Sequence, residues 1–244
     1  MDAVPPRSPP GRALVARRLP GWGAQAMLVL RKDLAIEARS GEVVVTSGFF
    51  ALLVVILASL SLFGGPASAR LVASGVIWLS VTFAAVLALG RTWQREREEG
   101  ALDGLLVAPI SRSALYTGKA LGVLGFLVAI SAVVIPLAAL FFSLDLDRYG
   151  LGLMAIALAA LPGVAASGTL FGAMTVRTGA RDLLLAVVLF PLVSPTLLAA
   201  VAATRELLGG VPLSELGDYF RLMGVFDLVF ISGGLALFGT LVER

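Results

Sequence analysis

The stretch VVVTSGFFALLVVILASLSLF, Val43–Phe63, runs for 21 residues without a charge. As a helix rising 1.5 Å per residue it reaches about 30 Å, the thickness of a bilayer's hydrocarbon core. A soluble domain would have to bury such a segment on all sides. This chain, 58% apolar and 14% charged, has too little polar surface for that. Working outward, five more windows of the same kind read at Leu71–Leu89, Ala120–Phe142, Leu151–Val176, Leu183–Ala203 and Leu222–Val242. The sequence predicts an all-α, polytopic integral membrane protein with six transmembrane helices. The connections are too short to build a globular domain with its own core, so a large soluble partner domain must come from another polypeptide.

Ahead of the first window, residues 1–23 carry Pro5, Pro6, Pro9 and Pro10 among scattered arginines, with no apolar core before a small-residue cleavage site. They read as a disordered basic tail and not as a signal peptide. Residues 24–244 read as a single transmembrane unit. Within it, Ala24–Ser40 places Met27, Leu30, Leu34 and Ala38 on one helical stripe, with Gln25, Lys32 and Arg39 roughly opposite. That pattern predicts an amphipathic helix in the membrane interface, although Val29 and Ile36 fall on the polar side. The plainer alternative is a basic anchor flanking the first span.

Lys and Arg sort by side. Fifteen of the 19 lie in the N-terminal segment, in Arg91–Lys119, in Arg177–Asp182 and at the C-terminus, and the other four are Arg70, Arg148, Arg205 and Arg221. The positive-inside rule then puts both termini and the Arg91–Lys119 segment in the cytoplasm. A basic balance sorted this way does not point to nucleic acid. On the outer side Gly64–Arg70 reads as a tight turn, and Thr204–Arg221, with Leu207, Leu208, Val211 and Leu213 among its charges, as a loop along the outer interface.

Absences narrow the chemistry. With no Cys and no His there are no disulfides, no thiolate metal sites and no common general base. No phosphate loop, H-E-x-x-H, G-x-S-x-G or dinucleotide fingerprint is present, so ATP hydrolysis and hydrolase chemistry are not assigned to this chain, and no catalytic or metal-ligating residue is expected. Any energy supply must come from a partner.

In Arg91–Lys119, the charge-dense Arg95-Glu96-Arg97-Glu98-Glu99 leads into Leu102, Leu105 and Leu106, spaced i, i+3 and i+4, and Pro109 ends the run. This predicts a short amphipathic helix on the cytoplasmic side, against the plain alternative of a solvated connector. Ser111 or Ser113 can cap the following helix. Pro136, Pro162, Pro191 and Pro195 interrupt three spans and predict kinked, packed helices, while Gly118/Gly122 and Gly168/Gly172 have the spacing of close helix contacts. Asp227 is the one acid well inside an apolar window, a turn or two from the expected outer end. It either snorkels or pairs with an outer arginine such as Arg221, or marks a proton or substrate site.

These residues resemble a known family. Lys32-Asp33-Leu34 with Glu37 and Arg39, Trp78, Arg91, Glu96, Glu98, Gly100, Leu105, Leu106, Pro109, Gly118-Lys119 and Pro191-Leu192-Val193-Ser194-Pro195 together are similar to the CcmB family, the membrane subunit of the bacterial cytochrome c maturation transporter and a relative of ABC-2 permeases. The likeness runs from about Leu28 to the C-terminus. It implies a permease subunit in the inner membrane that couples a partner ATPase to haem handling or to release of a haem-loaded chaperone. The implied partners are an ATPase (CcmA-like), a haem-handling membrane subunit (CcmC-like), a small membrane subunit (CcmD-like) and a periplasmic haem chaperone (CcmE-like), with two copies of the permease. An ABC-2 exporter of a lipid or other hydrophobic molecule and a non-transporting scaffold are the competing readings. Glu98, Glu99, Leu102, Leu105, Leu106 and Arg177 are the expected ATPase-coupling residues. Haem is a handled or transported ligand at most, because without His the chain offers only unusual axial ligands, and Met154 and Met174 read as packing residues.

Overall fold

A computed structural model describes residues 20–61, 66–98, 104, 107–175 and 181–242. Within them are seven α-helices: α1 (Trp22–Ser40), α2 (Glu42–Ser61), α3 (Pro66–Glu98), α4 (Arg112–Phe141), α5 (Leu146–Thr175), α6 (Arg181–Leu208) and α7 (Gly217–Val242). Helices α2 to α7 are each long and apolar enough to cross a membrane. The protein is therefore a multi-pass membrane protein with an additional N-terminal helix. The tail expected over residues 1–23 falls almost wholly outside the described residues.

Spans α3 to α7 are longer than their apolar windows. Hydropathy ends at Leu89, yet α3 continues to Glu98, because Arg, Gln and Glu are good helix formers and nothing in the run breaks the backbone. At the other end of the connection, α4 starts at Arg112, where Ser111 accepts a hydrogen bond from the Ala114 amide as N-cap. Much of the Arg91–Lys119 segment is therefore helix, and Glu96 and Lys119 return to the face of the bundle. In the remaining connection the Ala108 amide donates to the Gly104 carbonyl, a helical turn just ahead of Pro109.

α4 and α5 form the centre. α4 touches α1, α2, α3, α5 and α7, and Leu127, Ile130, Ile156 and Leu161 are sealed in the core. Both glycine pairs are contact points: a Cβ at Gly168 would overlap Leu89 and one at Gly172 would overlap Trp93, while Gly118 and Gly122 receive α1. Trp78 donates its indole N–H to Thr204 Oγ1 at 2.9 Å, tying α3 to α6 inside the membrane. Helix continues through all four prolines. The loop expected to lie along the outer interface instead folds onto the bundle end: α6 extends to Leu208, Leu207, Leu208 and Leu216 are buried, and Val211 and Leu213 pack against the core. Burying those apolar side chains on protein outweighs spreading them at the interface.

Candidate functional site

α1 turns a polar stripe toward the protein. Gln25, Val29, Asp33 and Glu37, each four residues apart, are buried, whereas Met27 and Leu34 are exposed at the bundle's exterior. The helix thus has a protein face, with Val29 and Ile36 on or beside it, besides an apolar face for lipid, which is why a two-sided reading left those two residues out of place. Gln25 Oε1 accepts the Ser111 amide at 2.8 Å, and the Trp22 indole donates to Ser113 Oγ at 2.9 Å, so the start of α1 is fastened to the start of α4. Gly118 allows the approach: a Cβ there would stand 2.6 Å from both the Ala26 carbonyl oxygen and Val29 Cβ. The far end of α1 stops at Gly41, in the left-handed region at φ 62°, and Glu37 Oε1 accepts the Val44 amide of α2 at 2.8 Å.

Between these fastenings lies a buried charge cluster. Lys119 of α4, 2% exposed, donates to Asp33 Oδ1 of α1 at 3.1 Å, lies 3.0 Å from Oδ2, and donates in close contact to Glu96 Oε1 of α3. Lys32 donates to the same Glu96 oxygen at 2.7 Å from the half-exposed rim. The Trp93 ring centre stands 6.0 Å from the Lys119 ammonium. Two cations and two anions thus neutralise one another where three helices meet. The paired arrangement is required because a lone charge so buried would cost several kcal/mol. Burial alone raises Glu96, but the charge and hydrogen bond of Lys119, with those of Lys32, outweigh it and hold the carboxyl below its ordinary range. Burial lowers Lys32, but Glu96 and then Asp33 more than offset that and hold the ammonium above its ordinary range. Asp33, Glu37, Thr92, Glu96 and Lys119 border a cavity of about 20 Å³, room for roughly one water molecule. Glu96 Oε2, buried and without a hydrogen-bond partner among the described residues, borders it as well.

Of the expected coupling residues, Glu98 is the last residue of α3, two residues beyond Glu96 of the cluster; Glu99, Leu102, Leu105, Leu106 and Arg177 lie outside the described residues. Asp227 stands ten residues into α7, which begins at Gly217, five residues before the apolar window. It does not pair with Arg221, which binds Asp218 at 2.9 Å on the surface. Its Oδ1 instead accepts the Gly163 amide at 2.7 Å, beside Pro162 in α5. Of the two methionines weighed as ligands, Met154 packs against the core and Met174 is exposed. The cluster was missed as a site although its members stood among the family-like residues; the available signal was a set of charges flanking three apolar windows, two of them the adjacent Lys32 and Asp33 on α1.

Six membrane-spanning helices, preceded by a helix that is ion-paired to the ends of two of them, define the class as a polytopic membrane protein with a charged anchor on one face. Comparison with known proteins is specific. A family model described as CcmB protein matches residues 24–238, and the chain belongs to the CcmB family. Heme exporter protein B of Rhodobacter capsulatus is 33% identical over 183 residues, 73% of this chain and 81% of its own length. The proteins of the same name from Bradyrhizobium diazoefficiens and Paracoccus denitrificans are 29% and 32% identical, covering 82% and 77% of this chain and 89% and 86% of their own lengths.

Proposed function

We propose that this chain is the permease subunit of an inner-membrane ABC complex for haem delivery in cytochrome c assembly, powered by an ATPase on a partner subunit. Residues 24–244 form the permease unit, with the tail, the α3–α4 connection and both termini in the cytoplasm, as the sorting of Lys and Arg supports. The name heme exporter protein B, borne by its relatives, supplies the haem. Without His or Cys, the chain's role is mechanical: it transmits ATP-driven movement to a haem-handling subunit or to release of a haem-loaded chaperone.

One observation carries this reading: Lys119, Glu96 and Asp33 tie α1 to the ends of the two helices whose connection bears the coupling segment. A push on that connection moves α1, α3 and α4 together. Leu102, Leu105 and Leu106 fill a groove on the ATPase, with Glu98 and Glu99 orienting the contact. Leu105→Asp tests this by placing an unpaired charge in the contact. The variant should insert normally, lose the co-purifying ATPase and abolish cytochrome c assembly. Wild-type retention of both would move the coupling site elsewhere, first to the Arg177–Asp182 turn.

A further inference from the structure

Asp227 stands ten residues into α7, so roughly 15 Å along the helix from its outer end and near the middle of the membrane. Its partner Gly163 is likewise central in α5. The bond to the Gly163 amide engages one carboxylate oxygen with a neutral donor, and the residue is only half-buried. It lies at the edge of the least buried of the six spans, beside Val225 and Leu228, which are 57% and 70% exposed. Next to it, a Cβ at Gly224 would meet nothing within 4 Å. An acid at this depth against lipid costs a few kcal/mol, and carboxylates within membrane spans are ordinarily paired.

This chain cannot supply the pair. Every Lys and Arg on a spanning helix stands within about two turns of a helix end, and Lys119 is already engaged by Asp33 and Glu96. A second copy would therefore bring no cation to this depth. We propose that the Asp227 edge of α7 is the docking site for a transmembrane helix of a different polypeptide, one that presents a lysine or arginine at mid-membrane. The exposed apolar residues around Asp227 pack against that helix, and the ion pair fixes its register. This holds independently of what the complex transports and of where its ATPase docks.

The absence of cysteine makes the test direct. Leu228→Cys, labelled with a benzophenone maleimide in membranes of cells containing the chain's own partner subunits, is irradiated and the adduct identified by mass spectrometry. The expected product joins this chain to a different membrane protein, within a span bearing a central Lys or Arg. Asp227→Asn, which keeps an acceptor for the Gly163 amide but removes the charge, should lower the yield at least tenfold. Replacing the partner's basic residue by Met, with this chain unchanged, should do the same and guards against misfolding of the Asn variant. Adducts to lipid alone, a product of two copies of this chain, or a yield insensitive to either substitution would overturn the proposal.

Discussion

Lys119 decides whether the charge cluster stabilises or harms the fold. In place, its ammonium neutralises Asp33 and Glu96, which are 7% and 5% exposed. Removed, it leaves two buried carboxylates facing a single cation, Lys32 at the rim, so that one buried negative charge is unmatched, a situation that costs on the order of 3–5 kcal/mol. Lys119→Met should therefore lower the thermal unfolding midpoint of the purified protein by many degrees, whereas Lys119→Met with Asp33→Asn and Glu96→Gln should recover most of the loss. Lys32→Met should have a smaller effect, because a pair at a half-exposed rim is screened by water. The pH dependence has a definite sign. Glu96 titrates lower folded than unfolded, so its contribution is present above its ordinary value of 4.5 and is lost as pH falls through the lower folded value. Lys32 titrates higher when folded, so its contribution is present below 10.5 and is lost as pH rises through the higher folded value. Unfolding midpoints measured across pH should show a plateau between these limits, and Glu96→Gln should flatten the acid side. If Lys119→Met melts like the wild type, the cluster is not a buried anchor.

At the scale of helices, hydropathy made the six spans legible but not their ends. Lipid demands apolar side chains only across the hydrocarbon, and Arg91–Glu98 continues the backbone hydrogen bonding of α3 where that demand has lapsed. The same gap hid the site, since Glu96 and Lys119 looked like loop charges until helix geometry returned them to the bundle. The α1 face was legible only in part, because a stripe read for lipid against water has no place for a third, protein-facing side. The glycine spacings were better guides, and they yield a prediction about docking. Gly118→Val should force α1 away from α4, because even its Cβ would stand 2.6 Å from the Ala26 carbonyl oxygen. Cysteines at Gln25 and Ser111, where the Gln25 side-chain oxygen now accepts the Ser111 backbone amide at 2.8 Å, should be joined by a short bifunctional thiol reagent in the wild-type background and fail to be joined with Gly118→Val. Gly125→Ala is the matched control: its Cβ has only Leu34 Cδ2 nearby, at 3.9 Å, so the crosslink should persist. Equal crosslinking in both backgrounds would mean that α1 is held without the glycine seat.

For the whole molecule, six spans put α1, the α3–α4 connection and the end of α7 on one side of the membrane and the α6–α7 turn on the other. That pairing of ends follows from the parity of the helices and leaves two opposite orientations. The proposed orientation, with the termini inside, rests on charge, since 15 of the 19 basic residues lie on the side of the termini. The buried cluster lies on that side too. Its two lysines, Lys32 and Lys119, count among those 15, because the bias depends on Lys and Arg and little on neighbouring carboxylates. Gly210, with φ at 100°, marks the opposite turn, next to Gly209. Because the chain has no native cysteine, Gly209→Cys and Gly104→Cys can be labelled one at a time with a membrane-impermeant maleimide in intact cells. Gly209→Cys should react from outside and Gly104→Cys only after the membrane is opened. The reverse pattern would place the coupling segment outside, beyond reach of a cytoplasmic ATPase, and would remove the basis of the proposed coupling while leaving the fold and the charge cluster as they are.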